Sequence, residues 1–501
     1  MSQPARRALG AALLTFALSA CGAGQNASTI PASIRAFQRV QPADTAAQSN
    51  SAGVTVFTLG DGGSNSTEMN DLRFGADGKL YYTTVPLLTG APWPTSGEIG
   101  NFDIGTHRQQ YQVVSYGPGL LDETADGSVW VTEFNNASGT PTIDRYAGIG
   151  GSDTTIQFPQ GPNWINGFGN GVDGGIAVTP DNHVWFGSNN SAQVGEIDPK
   201  TNAVSLYNLY GSDIVYQPVP QYMTLASDGH LWVTDEFNDG LFRVAVSGGA
   251  KGTSTYVQLP QGPYGSGNPI NLQGLIQGPD LNIYTGDPAP DYGYLDAGAA
   301  DANPTFSSLS LPSTGIEPYV FAKFGDKIYF NEIHFEGLGI YNVKTKHVVV
   351  LPLLPAAFGG IAVDAWGNPW IGCIPTSQTG CLERVTLSRT WQVYPSRSIN
   401  LYTTDFYGET LPPGLIGIGE NGESGPFTVT TSNAAVCTAG VLAGYGHNIQ
   451  VNPVKPGSCS LAISDAHGRT INVAVHVING KGSPQAHVDL RGFRPVPPKL
   501  R

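Results

Sequence analysis

The sequence predicts an all-β chain, a seven-bladed β-propeller followed by a small β-sandwich. Two features carry this reading: an apolar-aromatic pair behind a polar turn recurs along most of the chain, and the strand pattern changes near Leu401. The composition agrees. With 65 Gly, 37 Pro and only 13% charged residues in 501, the chain suits many short strands joined by tight turns.

The clearest repeat unit runs from Gly174 to Tyr210. Ile176 to Val178, Val184 to Phe186, Val194 to Ile197 and Val204 to Leu209 read as four strands, with turns at Asp181-Asn182 and at Asp198 to Asn202. The pattern returns with its aromatic at Tyr81, Trp130, Trp185, Trp232, Tyr284, Tyr329 and Trp370. That spacing, about 41 to 55 residues, is the period of a propeller blade. One small twisted sheet cannot bury both faces alone, so blades must stack and the ring must close. Each aromatic is then a packing residue between blades.

The elements follow in order. Residues 1–20 read as an export leader, with Arg6 and Arg7 before the apolar stretch Ala8 to Ala17, which is too short to span a bilayer. Residues 21–50 are rich in Ala, Ser, Gln, Asn and Pro and read as a flexible tether. Residues 51–395 form the predicted propeller. Val54 to Leu59 is expected to close the ring in the last blade, with Trp391 to Tyr394 as the competing fourth strand and the spare one at the rim or leading into the next domain.

Four Gly- and Pro-rich insertions interrupt the repeat: Pro86 to Gly97, Gly161 to Asp173, Gln261 to Asn271 and Gly286 to Pro304. They carry Trp93, Trp164, Tyr264, Tyr292 and Tyr294, which either meet a ligand or pack over the propeller face. Asp287, Asp291, Asp296 and Asp301 read as one solvated acidic loop. Residues 401–479 form the predicted sandwich, and residues 480–501 a disordered tail.

Net charge is −14, which speaks against nucleic acid or an anionic bilayer as a partner bound through charge. The five cysteines divide into Cys21 and two local pairs, Cys373 with Cys381 and Cys437 with Cys459. Both pairs read as disulfides of an exported protein. No phosphate-binding Gly-x-x-x-x-Gly-Lys, HExxH or Gly-x-Ser-x-Gly motif is present.

Three resemblances add to this. Leu18-Ser19-Ala20-Cys21 resembles the bacterial lipobox, which implies a lipid on Cys21 and, with Gly22 next, the outer membrane; without the lipid the chain is secreted. The stretch from Gly425 to Thr470 resembles the small Ig-like modules of bacterial surface proteins. That makes the predicted fold a seven-bladed β-propeller followed by a small Ig-like β-sandwich.

The blade pattern, Gly174 to Phe186 followed by Val194 to Thr201, resembles the repeat of the virginiamycin B lyase family. Members of that family open a cyclic lactone by elimination. Their Mg²⁺ is held by the Glu of an E-P-H motif and by a Glu ending the next strand. The resemblance implies metal ligands at Glu317 and Glu332 (Mg²⁺, or Ca²⁺), but Tyr319 stands where the family has its basic His.

An unperturbed phenol, with a pKa of about 10, is a poor base near neutral pH. His334 is the candidate replacement, on one face with Glu332 and Glu336 if the strand runs on. Glu133, Asp235 and Glu236 follow equivalent strands and are expected at the central channel or its mouth. They also fit as the repeat's own acids. The bland reading of Glu317, Glu332 and His334 is a set of solvated loop residues.

Three readings of function follow. The first is a lipid-anchored, monomeric propeller that binds a small molecule or a cell-envelope protein at its central face, without the lyase base. The second is a metal-dependent lyase, or a lactonase, at the same site with Glu317, Glu332, His334 and Tyr319. A third, an assembly part of an envelope complex, predicts an exposed apolar patch at the rim.

Overall fold

The computed structural model describes residues 38–42 and 53–482, apart from several segments. Among the longer of these are 61–65, 87–95, 137–141, 158–173, 210–216, 261–271, 312–317, 333–336, 375–379 and 406–412. The described chain is β throughout; its one helical turn is Gly248–Ala250.

Seven antiparallel sheets come first. Each begins with one edge strand, in order Ser66–Phe74, Tyr116–Glu123, Ile176–Val178, Pro220–Leu225, Leu275–Gln277, Pro318–Phe324 and Ala356–Val363. Every one of these strands touches the next, and the seventh returns to the first, so they line the axis of a β-propeller-type ring. Val54–Thr58 pairs antiparallel with Cys381–Val385 and completes the seventh sheet. The N-terminal and C-terminal ends of the ring are thereby joined by backbone hydrogen bonds.

The repeated aromatics Tyr81, Trp130, Trp185, Trp232, Tyr284, Tyr329 and Trp370 are all buried. The hairpin before the aromatic also holds its polar tip. Tyr81 and Tyr284 donate their hydroxyls to Asp77 (3.2 Å) and Asp280 (2.8 Å). The Trp232 and Trp370 Nε1 groups donate to Asp228 (3.4 Å) and Asp364 (3.2 Å). In the second sheet Thr124 relays the contact, taking the Trp130 Nε1–H and donating to Asp126. A buried indole or phenol needs such a partner, and the turn aspartate supplies it.

The C-terminal part is two four-stranded sheets. One orders Gln392–Tyr394, Gly414–Gly419, Asn448–Pro453 and Cys437–Val441; the other orders Ser398–Asp405, Thr470–Gly482, Gly457–Ser464 and Thr428–Thr431. Their facing residues, among them Trp391, Ile416, Val451, Leu461 and Val475, form one core. This part docks on the outer edge of the sixth sheet, where Leu415 joins that sheet's core and Asn448 bonds the Val350 backbone. The disulfides Cys373–Cys381 and Cys437–Cys459 are both formed, as the cysteine spacing predicts.

Three expectations need correction. The tether 21–50 contains a strand, Gln38–Pro42, paired with Arg108–Val114 at the outer edge of the first sheet. Its polar composition hides it because an edge strand is held by backbone bonds rather than apolar alternation. Gln392–Tyr394 is the spare strand and pairs with Gly414–Gly419 of the C-terminal part, so the boundary at 395 falls too late. The insertion Gly286 to Pro304 is largely strand, Asn282–Ala289 against Tyr292–Ala299, and within it Asp296 is wholly buried rather than solvated.

Candidate functional site

The site is built where the inner strands begin. In the second, fourth and sixth sheets a proline on the first strand stands opposite an acid on the second: Pro118 with Glu133, Pro220 with Asp235 and Pro318 with Glu332. A bulge follows in each, where the proline withholds its ladder donor. The second strand ties down the bulged backbone. Thr132 Oγ1 accepts the Leu120 N–H (2.9 Å), Thr234 Oγ1 the Tyr222 N–H (2.9 Å), and Asn331 Oδ1 the Val320 N–H (3.0 Å).

The bulges aim aromatic side chains at the axis. Tyr222, on the fourth sheet, packs against the cores shared by the second and third, the fourth and fifth, and the sixth and seventh sheets. One side chain reaches all three only from the middle of the ring. Tyr319 of the sixth sheet meets it edge to face, with ring centroids 6.3 Å apart.

Beside this pair lies a charged group. Arg73 Nε contacts Asp71 at 3.3 Å and its Nη1 contacts Asp122 of the next sheet at 3.4 Å. Burial pulls the Arg73 guanidinium down, but Asp71 and Asp122 outweigh it, and the nearby Tyr222 adds to the rise above the ordinary arginine value. Burial raises the Asp122 carboxyl above the usual range, and Arg73 opposes that rise. Although it lies deep in the ring, the Arg73 side chain keeps 39% exposure, so solvent reaches it along the axis. The two aspartates also join sheets: Asp71 accepts the Leu121 N–H and Asp122 the Val178 N–H, each at 2.9 Å.

The residues expected from the sequence separate. Tyr319 is at the axis, against Tyr222. Glu332 has its backbone in register with Pro318, the residue after Glu317; the Glu332 side chain, Glu317, His334, Glu236 and Cys21 lie outside what is described. Asp235 does not face the channel. It is wholly buried, taking the Val219 N–H (3.1 Å) and the Asn238 side-chain amide (2.7 Å). Glu133 is likewise buried. Among the described residues no three His, Cys, Asp or Glu side chains gather as a metal site would require.

Arg73, Asp71, Asp122 and Tyr222 were not singled out from sequence, although a signal exists. Residues opposite the repeat aromatic on the inner strand are Ala177, Thr224, Ile276, Ala322 and Ala362 in five sheets, but Arg73 and Asp122 in the first two.

Ring and axis together define a β-propeller scaffold with a polar and aromatic centre. No known protein family matches the chain, and no curated protein matches it in sequence. Solved structures do share its fold. A catalytically inactive virginiamycin B lyase from Staphylococcus aureus with Quinupristin superposes with a TM-score of 0.51 at 17% identity, covering 66% of this chain and 100% of that one. A streptogramin B lyase gives 0.52 at 16% identity over 66% and 97%. Selenomethionine-substituted virginiamycin B lyase from S. aureus gives 0.52 at 18% over 67% and 99%. At such identities the likeness shows the fold alone.

Proposed function

We propose that this chain is an exported, lipid-anchored protein of the outer membrane, with a seven-bladed propeller and a C-terminal Ig-like sandwich. It binds a small ligand at the axis of the ring and lacks the lyase base. The observation that carries this is the edge-to-face pair Tyr222 and Tyr319 beside a solvent-reached Arg73. Such a floor suits a ligand with a flat apolar body and a carbonyl or carboxylate, which the guanidinium grips through donors not engaged by the two aspartates.

The test is a thermal-shift screen of the full chain against aromatic carboxylates and cyclic lactones, repeated on Tyr319→Ala and Arg73→Gln. Hits lost in both variants support the reading. A panel without hits, or with hits that both variants keep, overturns it.

A second reading, a Mg²⁺-dependent lyase or lactonase at the same end of the ring, is favoured by one observation. Glu332 stands in register opposite Pro318, which follows Glu317 directly in the sequence. Bound there, Mg²⁺ would polarise an ester carbonyl. Calorimetric titration with Mg²⁺ and Ca²⁺, repeated on Glu317→Ala and Glu332→Ala, decides it: heat lost in both variants supports the metal site, and no heat in the parent chain removes the reading.

A further inference from the structure

We infer that Gln38–Pro42 is a releasable strap: it fills a strand-accepting edge on the first sheet, and its release lengthens the tether between the lipid proposed for Cys21 and the ring. The strap is independent of that lipid; the change in reach rests on it.

The ring does not need this strand. Each of the other six propeller sheets has four strands, and the first reaches four with Ser66–Phe74, Leu80–Pro86, Gly97–Asp103 and Arg108–Val114 before Gln38–Pro42 adds a fifth. The edge is nonetheless shaped for a neighbour. Arg108–Val114 buries Gln109, Tyr111, Gln112 and Val114, whereas the outermost strands of the second and fourth sheets bury Ile156 or Val257 alone, and that of the third buries no residue.

The attachment is made by backbone. The Gln109 amide exchanges hydrogen bonds with both backbone groups of Gly60 (2.7 and 3.0 Å), and Gln112 Oε1 accepts the Gly150 N–H (3.2 Å). What these residues offer the strap is their main chain, in an antiparallel register running from Gln38 opposite Gln112 to Pro42 opposite Arg108. Pro42 has no N–H to add, and Val40 is the one aliphatic residue of the strand.

Such a strand is held near balance. The entropy lost in ordering its backbone is similar in size to the net return of its strand bonds, and as an edge strand it is paired on one side alone. Val54–Thr58, by contrast, pairs with Cys381–Val385 and carries Val54 and Phe57 into the core, so the ring stays closed when the strap lifts.

Release thus moves the point where the tether meets the ring. With the strap on, residues 22–37 link Cys21 to the first sheet and span at most about 55 Å; with it off, residues 22–53 link Cys21 to the seventh sheet and span at most about 110 Å. Reach doubles with no change in the ring.

The full chain carrying Cys21→Ser takes no lipid and tests the strap alone. Spin labels on Ala43→Cys, next to Pro42 in sequence, and on Lys200→Cys, in an exposed turn of the third sheet, should give two distances by double electron–electron resonance, the shorter for the paired strand. Arg39→Pro/Val40→Pro removes two successive N–H groups, one of which faces the ladder. That variant should keep the longer distance alone and speed amide exchange at residues 109–113 about tenfold, with the ring's melting temperature unchanged. A parent chain with the long distance alone has no strap, and one with the short distance alone has no release; either overturns the inference, as does a proline variant that exchanges like the parent. Reach is read on vesicles bearing the lipidated chain, by energy transfer from a lipid dye to a label on Lys200→Cys. Locking the strap with Val40→Cys/Gln110→Cys, which are register partners, should hold the ring closer to the bilayer. A lock that leaves the transfer unchanged overturns the change in reach, whereas a chain that never anchors overturns the lipid reading and leaves the strap to stand on its two distances.

Discussion

The ring of Phe186 fills the place where a side chain on Gly195, its register partner across the third sheet, would have to stand. Tyr82 does the same at Gly100 and Phe330 at Gly339. In the fourth sheet the sizes are exchanged, with Val233 facing Phe242. Each of these pairs thus fills one slot with one larger and one smaller member. Gly195→Ala should cost about 1–3 kcal/mol through overpacking. Phe186→Leu in the same chain should recover part of that loss, and urea unfolding of both single variants and the double variant measures the coupling. Strictly additive costs would show that the slot is not shared.

Asp228 gathers three donors: the His230 N–H (3.1 Å), the Trp232 Nε1–H and Arg243 Nε (2.6 Å). Asp228→Ala leaves the arginine and indole without this acceptor, at a cost of about 2 kcal/mol. Asp198, in an exposed turn, binds only its own loop, chiefly the Lys200 N–H and the Thr201 hydroxyl. Asp198→Ala should change the unfolding midpoint far less, and equal losses in the two variants would refute the assignment of the indole contact.

Much of this ring is legible because the turn aspartate, the aromatic and the strand period of two recur together, each required by the same packing. Trp185 is readable as a core residue for that reason. Gln38–Pro42 is not, since its place depends on backbone bonds to Arg108–Val114 that leave no side-chain pattern. The axis is also hard to read. Tyr222 resembles any strand aromatic until the bulge after Pro220 turns it toward three cores at once. Asp235 shows the converse: its position in the repeat suggested the central channel or its mouth, but it is wholly buried and takes the Val219 N–H and the Asn238 side-chain amide.

Asp296 gives the chain a pH dependence with a defined sign. It is wholly buried between Thr285 and Ser308, and burial pushes its pKa up to about 6 while the Ser308 hydroxyl opposes in part. Because the folded value lies above the unfolded one, folding favours the protonated acid. Its contribution is fully present below about pH 4 and is lost as the pH rises through about 6. Asp296→Asn should leave the stability nearly unchanged at pH 4 and raise it at pH 8 by on the order of 2–3 kcal/mol, seen as a higher melting temperature. Thermal unfolding of both chains across that range checks this, and a gain at pH 4 as large as that at pH 8 would exclude titration of Asp296 as the cause.

Asn448 joins the two parts of the chain by treating the Val350 backbone as a neighbouring strand would. Its Oδ1 accepts the Val350 N–H at 3.2 Å and its Nδ2 donates to the Val350 carbonyl at 2.9 Å, with all groups buried. Gly417 lets the strands come this close, since a Cβ there would collide with that same carbonyl. Asn448→Ala strands a buried donor and a buried acceptor at the seam, for about 2–4 kcal/mol. The loss falls on the junction and leaves both cores intact. Calorimetry should therefore resolve an earlier transition for the C-terminal sheets in the variant while the propeller transition stays near its parent temperature. A variant that melts with the parent profile shifted as a whole would place Asn448 in the cooperative core of one part instead of at the joint between two.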